Sequence, residues 1–213
     1  MPTVRELYIY PVKSLAGIRV EDAELTDRGF QYDRRWMLID ENNVFLSQRE
    51  HSQMALLQTA ITENGIQVFA KNDKTISTLI PFEPEMIETT TVKIWDEFCH
   101  AIGVSDKTDQ WFSEILGIKC RLVYMADKVI RKVDKRYALS ENDIASFADA
   151  YPLLIISQES LQDLNSRMTQ PLSMNRFRPN IVLDGVEPYE EDVMEEFAIN
   201  GINFFGVKLC ARC

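Results

Sequence analysis

The chain has 213 residues, of which 46% are hydrophobic and 26% are charged, a composition typical of globular proteins that bury a core. Its 33 acidic and 23 basic residues give a formal net charge of -10. That charge argues against general binding to nucleic acid, which needs a basic surface. No apolar run approaches the roughly 18 residues that span a bilayer. We therefore expect neither a nucleic acid partner nor a membrane partner.

The N-terminus lacks the apolar segment of a signal peptide, and four cysteines are few for a disulfide framework. These two features predict a cytoplasmic, reducing compartment.

The first hundred residues predict short strands, because β-forming residues are dense and turn signals recur. A first strand is predicted in VRELYIYPV. Three hairpins follow, with turns expected at Glu41-Asn42-Asn43, at Asn64-Gly65 and at Asp96-Glu97. Strands at this spacing are typical of an antiparallel barrel or sandwich.

Helices are predicted only later in the chain. Ser105 is expected to cap a helix that Gly117 ends, and Ser157 is expected to cap a second helix. A buried strand in NIVLDG and a hairpin around Asn200-Gly201 complete the pattern. The second half is therefore mixed, and we predict a domain boundary near residue 118.

The sequence ends in KLCARC, with Cys210 and Cys213 three residues apart. A structural zinc site would need a second ligand pair, and the chain has no other C-x-x-C. A thioredoxin-like redox pair normally begins a helix after a strand. Here a strand is predicted before the pair, but the sequence ends at Cys213. A further alternative, which the spacing leaves open, is that both thiols are small buried apolar residues.

Several arginines lie beside strand ends or turns, including Arg28, Arg34, Arg49, Arg178 and Arg212. A guanidinium can bind phosphate oxygens through two hydrogen bonds. The alternative is a set of surface ion pairs with the abundant carboxylates. Residue types alone leave both interpretations open.

An ordered set of motifs spans nearly the whole chain: YPVKSLAGI, DRRWMLID, SQRE, FADAYPLLIISQESLQDLNSRM, NRFRPNIVLDG and CARC. Together they resemble the MOSC family (molybdenum cofactor sulfurase C-terminal domain) with its N-terminal partner domain, and in particular the amidoxime-reducing components. The resemblance implies a β-rich α+β fold. An antiparallel β-barrel domain is expected over residues 1–118 and a MOSC-type β-barrel with flanking helices over 119–213.

The resemblance also implies a molybdenum cofactor, a pterin dithiolene with a terminal phosphate. Cys213 would be the metal ligand and catalytic residue, since soft sulfur suits this metal, and Arg212 would favour its thiolate. Cys210 would be a neighbour only. The motifs match further cofactor-binding residues of the family at Lys13, Ser14, Arg34, Asp149, Arg178 and Asn180.

Two features depart from the family pattern. Ala211 stands where some relatives have serine, so a hydroxyl contact is absent there. Family members also continue for several dozen residues beyond the cysteine motif, so we expect the C-terminal part of the MOSC domain to be missing after Cys213.

The resemblance implies a molybdenum-dependent oxidoreductase that reduces N-hydroxylated compounds. Its electrons would come from a separate redox protein, because the sequence carries no flavin, haem or iron–sulfur signature. One alternative is a carrier of the molybdenum cofactor or of sulfane sulfur, with a persulfide on Cys213. Another is an interaction module that has lost the cofactor.

Overall fold

The computed structural model describes residues 1–210. Within them the chain forms two α-helices, α1 (Asp106–Leu116) and α2 (Gln158–Ser166). Short 3-10 helices cover Ser52–Leu56, Met174–Arg176 and Glu190–Val193. The strands are β1 (Thr3–Ile9), β2 (Ile18–Val20), β3 (Leu25–Thr26), β4 (Gly29–Phe30), β5 (Trp36–Ile39), β6 (Leu57–Thr62), β7 (Gly65–Ala70), β8 (Asp73–Ile80), β9 (Thr89–Ile94), β10 (Glu97–Gly103), β11 (Arg121–Tyr124), β12 (Ile155–Ser157), β13 (Ile181–Asp184), β14 (Glu196–Ile199) and β15 (Ile202–Phe205).

The strands form two four-stranded sheets, in the orders β12-β13-β1-β2 and β5-β11-β10-β9, and a β6-β7-β8 meander. The pairs β3-β4 and β14-β15 are separate hairpins. All these pairings are antiparallel except β12-β13, which is parallel. The predicted β-rich α+β class is confirmed.

The first strand pairs with a strand near the end of the chain. Leu7 of β1 lies opposite Ile181 of β13, and β5 pairs with β11 in the same way. Both pairings cross residue 118, so the two predicted domains share sheets in the folded chain. The boundary itself stays a prediction.

Strand β5 is buried on both faces. Trp36 and Leu38 pack into one hydrophobic cluster with Phe112 of α1, while Met37 and Ile39 pack into a second cluster with Phe147. Successive side chains of a strand point to opposite faces, so four consecutive apolar residues serve two cores. Packing on both faces holds β5 in place, and with it the chain segments directly before and after the strand.

Both predicted helix starts and one predicted helix stop are confirmed. The backbone N–H of Thr108 donates to Ser105 Oγ, and that of Ser160 donates to Ser157 Oγ. Gly117 ends α1 in the left-handed conformation, with φ of 66°. Among the described residues, no helix is long and apolar enough to cross a bilayer.

Two predicted turns lie one residue too late. Thr62 pairs with Gly65, so the first turn consists of Glu63 and Asn64. Ile94 pairs with Glu97, so the second turn consists of Trp95 and Asp96. The hairpin around Asn200-Gly201 has its turn where the sequence predicts it.

Candidate functional site

A cleft of about 1440 Å³ runs between the two halves of the chain. Every predicted cofactor-binding residue within the described part of the chain contributes to its wall: Lys13, Ser14, Arg34, Asp149, Arg178 and Asn180. The predicted residues Arg212 and Cys213 lie outside the described residues. The cleft therefore brings together residues from both ends of the sequence.

The wall of the cleft is more basic than the rest of the protein. Over residues 1–210, eight basic and five acidic side chains line it, in a chain whose formal charge is -10. The basic residues are Lys13, Arg19, Arg34, Arg49, Lys71, Arg176, Arg178 and Lys208. Such a wall attracts anions locally even though the whole protein is acidic.

Lys13 follows β1 and is only 6% exposed. Its backbone N–H donates to the Trp36 carbonyl, which joins the segment to β5. Its ammonium donates to the Phe147 carbonyl at 2.8 Å and to Asp149 Oδ1 at 2.5 Å. Burial lowers the pKa of Lys13 to about 8, although the charge and hydrogen bond of Asp149 oppose that shift.

Asp149 holds two of the site's side chains with one oxygen. Its Oδ1 accepts from Lys13 and, at 3.2 Å, from the indole N–H of Trp95. Partial burial alone would raise the pKa of Asp149, but the charge and hydrogen bond of Lys13, together with Trp95 and Arg34, lower it to about 2. The carboxylate is therefore ionised at neutral pH.

Arg34 and Arg178 share an aromatic support. Their guanidinium carbons lie 4.5 Å and 4.3 Å from the centre of the Tyr10 ring, within the range of cation–π attraction. Arg34 Nη1 donates to Asp33 Oδ2 at 2.5 Å, and Arg178 Nη1 donates to the Leu15 carbonyl at 2.6 Å. Both arginines have positive φ, 49° and 59°, a conformation uncommon for such residues and found often at functional sites.

Asn180 is 1% exposed and both ends of its side-chain amide are occupied. Its Oδ1 accepts from Arg34 Nη1 at 2.9 Å and from the Leu154 N–H at 3.2 Å. Its Nδ2 donates to the Tyr8 carbonyl and to Asp33 Oδ1, both at 3.1 Å. In this arrangement Asn180 orients Arg34 and joins β1 to the start of β13.

Ser14 lies at the cleft in the left-handed conformation, with φ of 68°. Its carbonyl accepts from Gln48 Nε2 at 2.7 Å. The segment that carries Gln48 is therefore fixed against the Lys13-Ser14 turn.

Several residues of the site were missed by sequence reasoning. Tyr10 supports both arginines, and Trp95 binds Asp149. Arg131, 6% exposed, donates to the carbonyls of Ser146 and Ala148 at 2.7 Å, which fixes the segment before Asp149. Tyr10 could have been found from the sequence, because it lies in the YPVKS motif. Arg131 lies in none of the motifs, so no sequence pattern indicated its role.

The cysteines differ in burial. Cys210 is exposed at the cleft, so the prediction of a buried small residue is wrong for it. Cys99 and Cys120 are buried, and burial raises the pKa of both thiols, that of Cys99 to about 11. Within residues 1–210, no group of three His, Cys, Asp or Glu side chains could hold a metal ion.

Together, fold and site define a β-rich protein whose two halves build one basic cleft. Residues 1–119 match the MOSC N-terminal beta barrel domain, and residues 142–213 match the MOSC domain. The chain belongs to the MOSC family, and the predicted membership is confirmed.

Three relatives illustrate the similarity. The chain is 31% identical over 218 residues to mitochondrial amidoxime reducing component 2 of Homo sapiens, with 99% of this chain and 65% of the human protein covered. It is 30% identical over 223 residues to mitochondrial amidoxime-reducing component 1 of Mus musculus, covering 99% and 64%. It is 29% identical over 228 residues to molybdenum cofactor sulfurase of Oryza sativa subsp. japonica, covering 99% and 27%. The chain thus spans about two thirds of the length of the amidoxime-reducing relatives.

Proposed function

We propose that the protein binds the molybdenum cofactor and reduces N-hydroxylated compounds with electrons from a separate redox protein. The observation that carries the proposal is the convergence of six motif residues, from Lys13 to Asn180, on one basic cleft. The names of the amidoxime-reducing relatives support the reaction class. The predicted cytoplasmic location stays a prediction, since these relatives are named as mitochondrial.

The residues of the cleft fit a phosphorylated ligand. Arg34 and Arg178 are held by hydrogen bonds and by Tyr10, so little side-chain freedom is lost when they bind an anion. Lys13 adds a buried positive charge. These three cations would bind the phosphate and the polar edge of the cofactor.

Asp149 supplies the complementary negative group. Its carboxylate accepts from Lys13 and Trp95 through Oδ1, so within residues 1–210 the other oxygen remains available to accept an N–H from a pterin ring. Cys213 would ligate the metal, with Arg212 beside it. When bound, the cofactor would supply the two-electron redox chemistry that cleaves the N–O bond.

The test is to express the protein in a host that makes the cofactor and to measure molybdenum and pterin in the purified protein. We expect both to copurify, together with benzamidoxime reduction driven by a chemical electron donor. Arg34→Ala and Arg178→Ala should each lower cofactor affinity about 10- to 150-fold, the effect of losing one charged hydrogen bond.

Arg167→Ala is the matched control. Arg167 is exposed and paired with Asp163 at the end of α2, and neither residue lines the cleft, so cofactor content should not change. A wild-type protein without molybdenum and pterin would refute the proposal.

A second candidate is a carrier of the cofactor or of sulfane sulfur, favoured by the similarity to molybdenum cofactor sulfurases. Mass spectrometry of freshly purified protein separates the two functions. One additional sulfur atom on Cys213, without reductase activity, would support the carrier.

A further inference from the structure

We propose that Arg49 and Trp95 form a substrate subsite at the mouth of the cleft, which takes a planar ring bearing an oxyanion such as carboxylate or phosphate. The subsite deepens the proposed reductase function and rests on it. Both residues line the cleft that also contains Lys13 and Asp149.

Trp95 is held in an unusual conformation at the cleft. It occupies the turn between β9 and β10 with φ of 53°, where Gly, Asn or Asp is the ordinary choice and a bulky residue is an outlier. Its side chain is 40% exposed. A strained backbone that carries an exposed aromatic ring into a cleft indicates a functional constraint.

Contacts within the site fix the orientation of the indole. Its N–H donates to Asp149 Oδ1 at 3.2 Å. The ring meets Phe45 at 4.7 Å between centroids, with an angle of 68° between the planes. The indole is therefore oriented before a ligand arrives, and little conformational entropy is lost when a ring packs against it.

Arg49 lies next to this ring. Its guanidinium carbon is 5.0 Å from the centre of the Trp95 ring. The turn that carries it is closed by the Ser47 carbonyl, which accepts from the N–H groups of Glu50 and His51. Gln48 ties the same turn to Ser14.

The positive charge of Arg49 has no salt-bridge partner among residues 1–210. The nearby carboxylate of Asp149 is engaged by Lys13, and Glu50 is exposed on the same turn. An arginine held on an aromatic ring, unpaired in an acidic protein, is free to bind an incoming oxyanion through two hydrogen bonds.

The ligand follows from these two groups. The indole favours a planar aromatic ring through stacking or edge contacts, and the guanidinium favours a carboxylate or phosphate attached to that ring. The structure thus assigns the subsite to N-hydroxylated aromatic compounds that are anionic.

The first experiment ranks three substrates by kcat/KM in cofactor-loaded protein: 4-carboxybenzamidoxime, its phosphonate analogue and neutral benzamidoxime. We expect the wild type to favour the anionic compounds at least tenfold, and Arg49→Gln to reduce that ratio to about one. Whichever of the two anions shows the larger ratio identifies the preferred oxyanion. Arg167→Gln should leave every ratio unchanged.

The second experiment does not depend on turnover. 4-Carboxybenzamidoxime is titrated into the protein while tryptophan fluorescence is recorded. We expect saturable quenching that disappears in Trp95→Phe, because Trp36 is buried and neither Trp36 nor Trp111 lines the cleft. Arg49→Gln should weaken binding at least fivefold.

The outcomes separate the two proposals. Failure to reduce any benzamidoxime would refute the reductase, while the fluorescence titration would still test the subsite. Turnover of neutral benzamidoxime without an Arg49-dependent preference for anions would overturn the subsite alone. Quenching that persists in Trp95→Phe would also overturn it.

Discussion

The ammonium of Lys13 donates to Oδ1 of Asp149 across 2.5 Å, joining residues 136 positions apart in the chain. Lys13 is 7% exposed in its side chain and Asp149 is 57% exposed, so one partner is buried while the other faces the cleft. The buried cation depends on this contact and on the Phe147 carbonyl.

Asp149→Asn should destabilise the fold. The buried ammonium of Lys13 loses its counter-charge but keeps an amide oxygen as acceptor, and solvent screens the exposed partner, so the cost should be about 1–2 kcal/mol rather than the roughly 3–5 kcal/mol of a fully buried pair. Urea unfolding at pH 7 measures it. Glu41→Gln, in an exposed pair with Lys119, should change the free energy of unfolding by less than about 0.5 kcal/mol; equal effects of the two changes would contradict the prediction.

The stability contributed by Lys13 should depend on pH. Its pKa is about 8 in the folded protein and 10.5 ordinarily, so the unfolded chain binds more protons between these values and stability rises with pH in that window. The cost of burying the charge is fully present below pH 8. Its relief between pH 8 and 10.5 should be on the order of 3 kcal/mol.

Other groups oppose this rise. Burial raises the pKa of Cys99 to about 11 and that of Tyr8 to about 12. Through such groups the folded protein loses stability as the pH rises above their ordinary pKa values. The measurement is therefore the difference in free energy of unfolding between the wild type and Lys13→Met from pH 7.5 to 10.5. We expect the wild type to gain stability relative to Lys13→Met as the pH rises. A difference that stays constant over this range would refute the lowered pKa of Lys13.

The sequence predicted the elements better than their turns. It predicted the two capped helices and the hairpins because caps and β-forming runs act locally. It misplaced the Trp95-Asp96 turn because no local rule puts tryptophan at positive φ; the contacts of Trp95 with Phe45 and Asp149 favour that conformation. Gly65 lies in β7, opposite Thr62, rather than in the turn. Glycine is needed there because a Cβ would overlap the Ile80 carbonyl oxygen of the neighbouring strand.

The site was predictable as a set of residue types but not as a network. Motifs identified Arg34 and Asn180, yet their hydrogen bond joins residues 146 positions apart in the chain. It forms because both are held against the β1 segment: the Arg34 N–H donates to the Tyr10 carbonyl, and Asn180 Nδ2 donates to the Tyr8 carbonyl. Tyr10, the residue after β1, contacts Arg178 because β1 pairs with β13. Pairings between such distant strands leave no local pattern in the sequence.

Gly17→Ala should disturb the support of the two arginines. A Cβ at Gly17 would overlap Cε1 of Tyr10 and lie 2.7 Å from Cδ1. The Tyr10 ring is buried and contacts both Arg34 and Arg178, so it cannot move freely. We expect a loss of about 1–3 kcal/mol of stability, as in other overpacked sites, and reduced cofactor content.

Gly117→Ala provides a contrast for this prediction. A Cβ at Gly117 would meet nothing within 4 Å, so its cost comes only from the left-handed backbone and should leave cofactor content unchanged. Thermal unfolding and metal analysis together distinguish the two variants. Normal cofactor content in Gly17→Ala would mean that Tyr10 does not support the arginines.

Arg131→Lys should show whether geometry or charge holds the segment before Asp149. The guanidinium donates to the carbonyls of Ser146 and Ala148 and to Glu97 Oε2, and one ammonium cannot reproduce this planar set of bonds. Buried carbonyls left without donors cost about 1–3 kcal/mol each, so we expect a loss of about 2–3 kcal/mol in urea unfolding. Arg121→Lys, exposed and bonded to Asn43, should cost less than about 0.5 kcal/mol. If Arg131→Lys proves equally mild, a positive charge at this position is sufficient, and the planar geometry of the guanidinium is not what holds the segment.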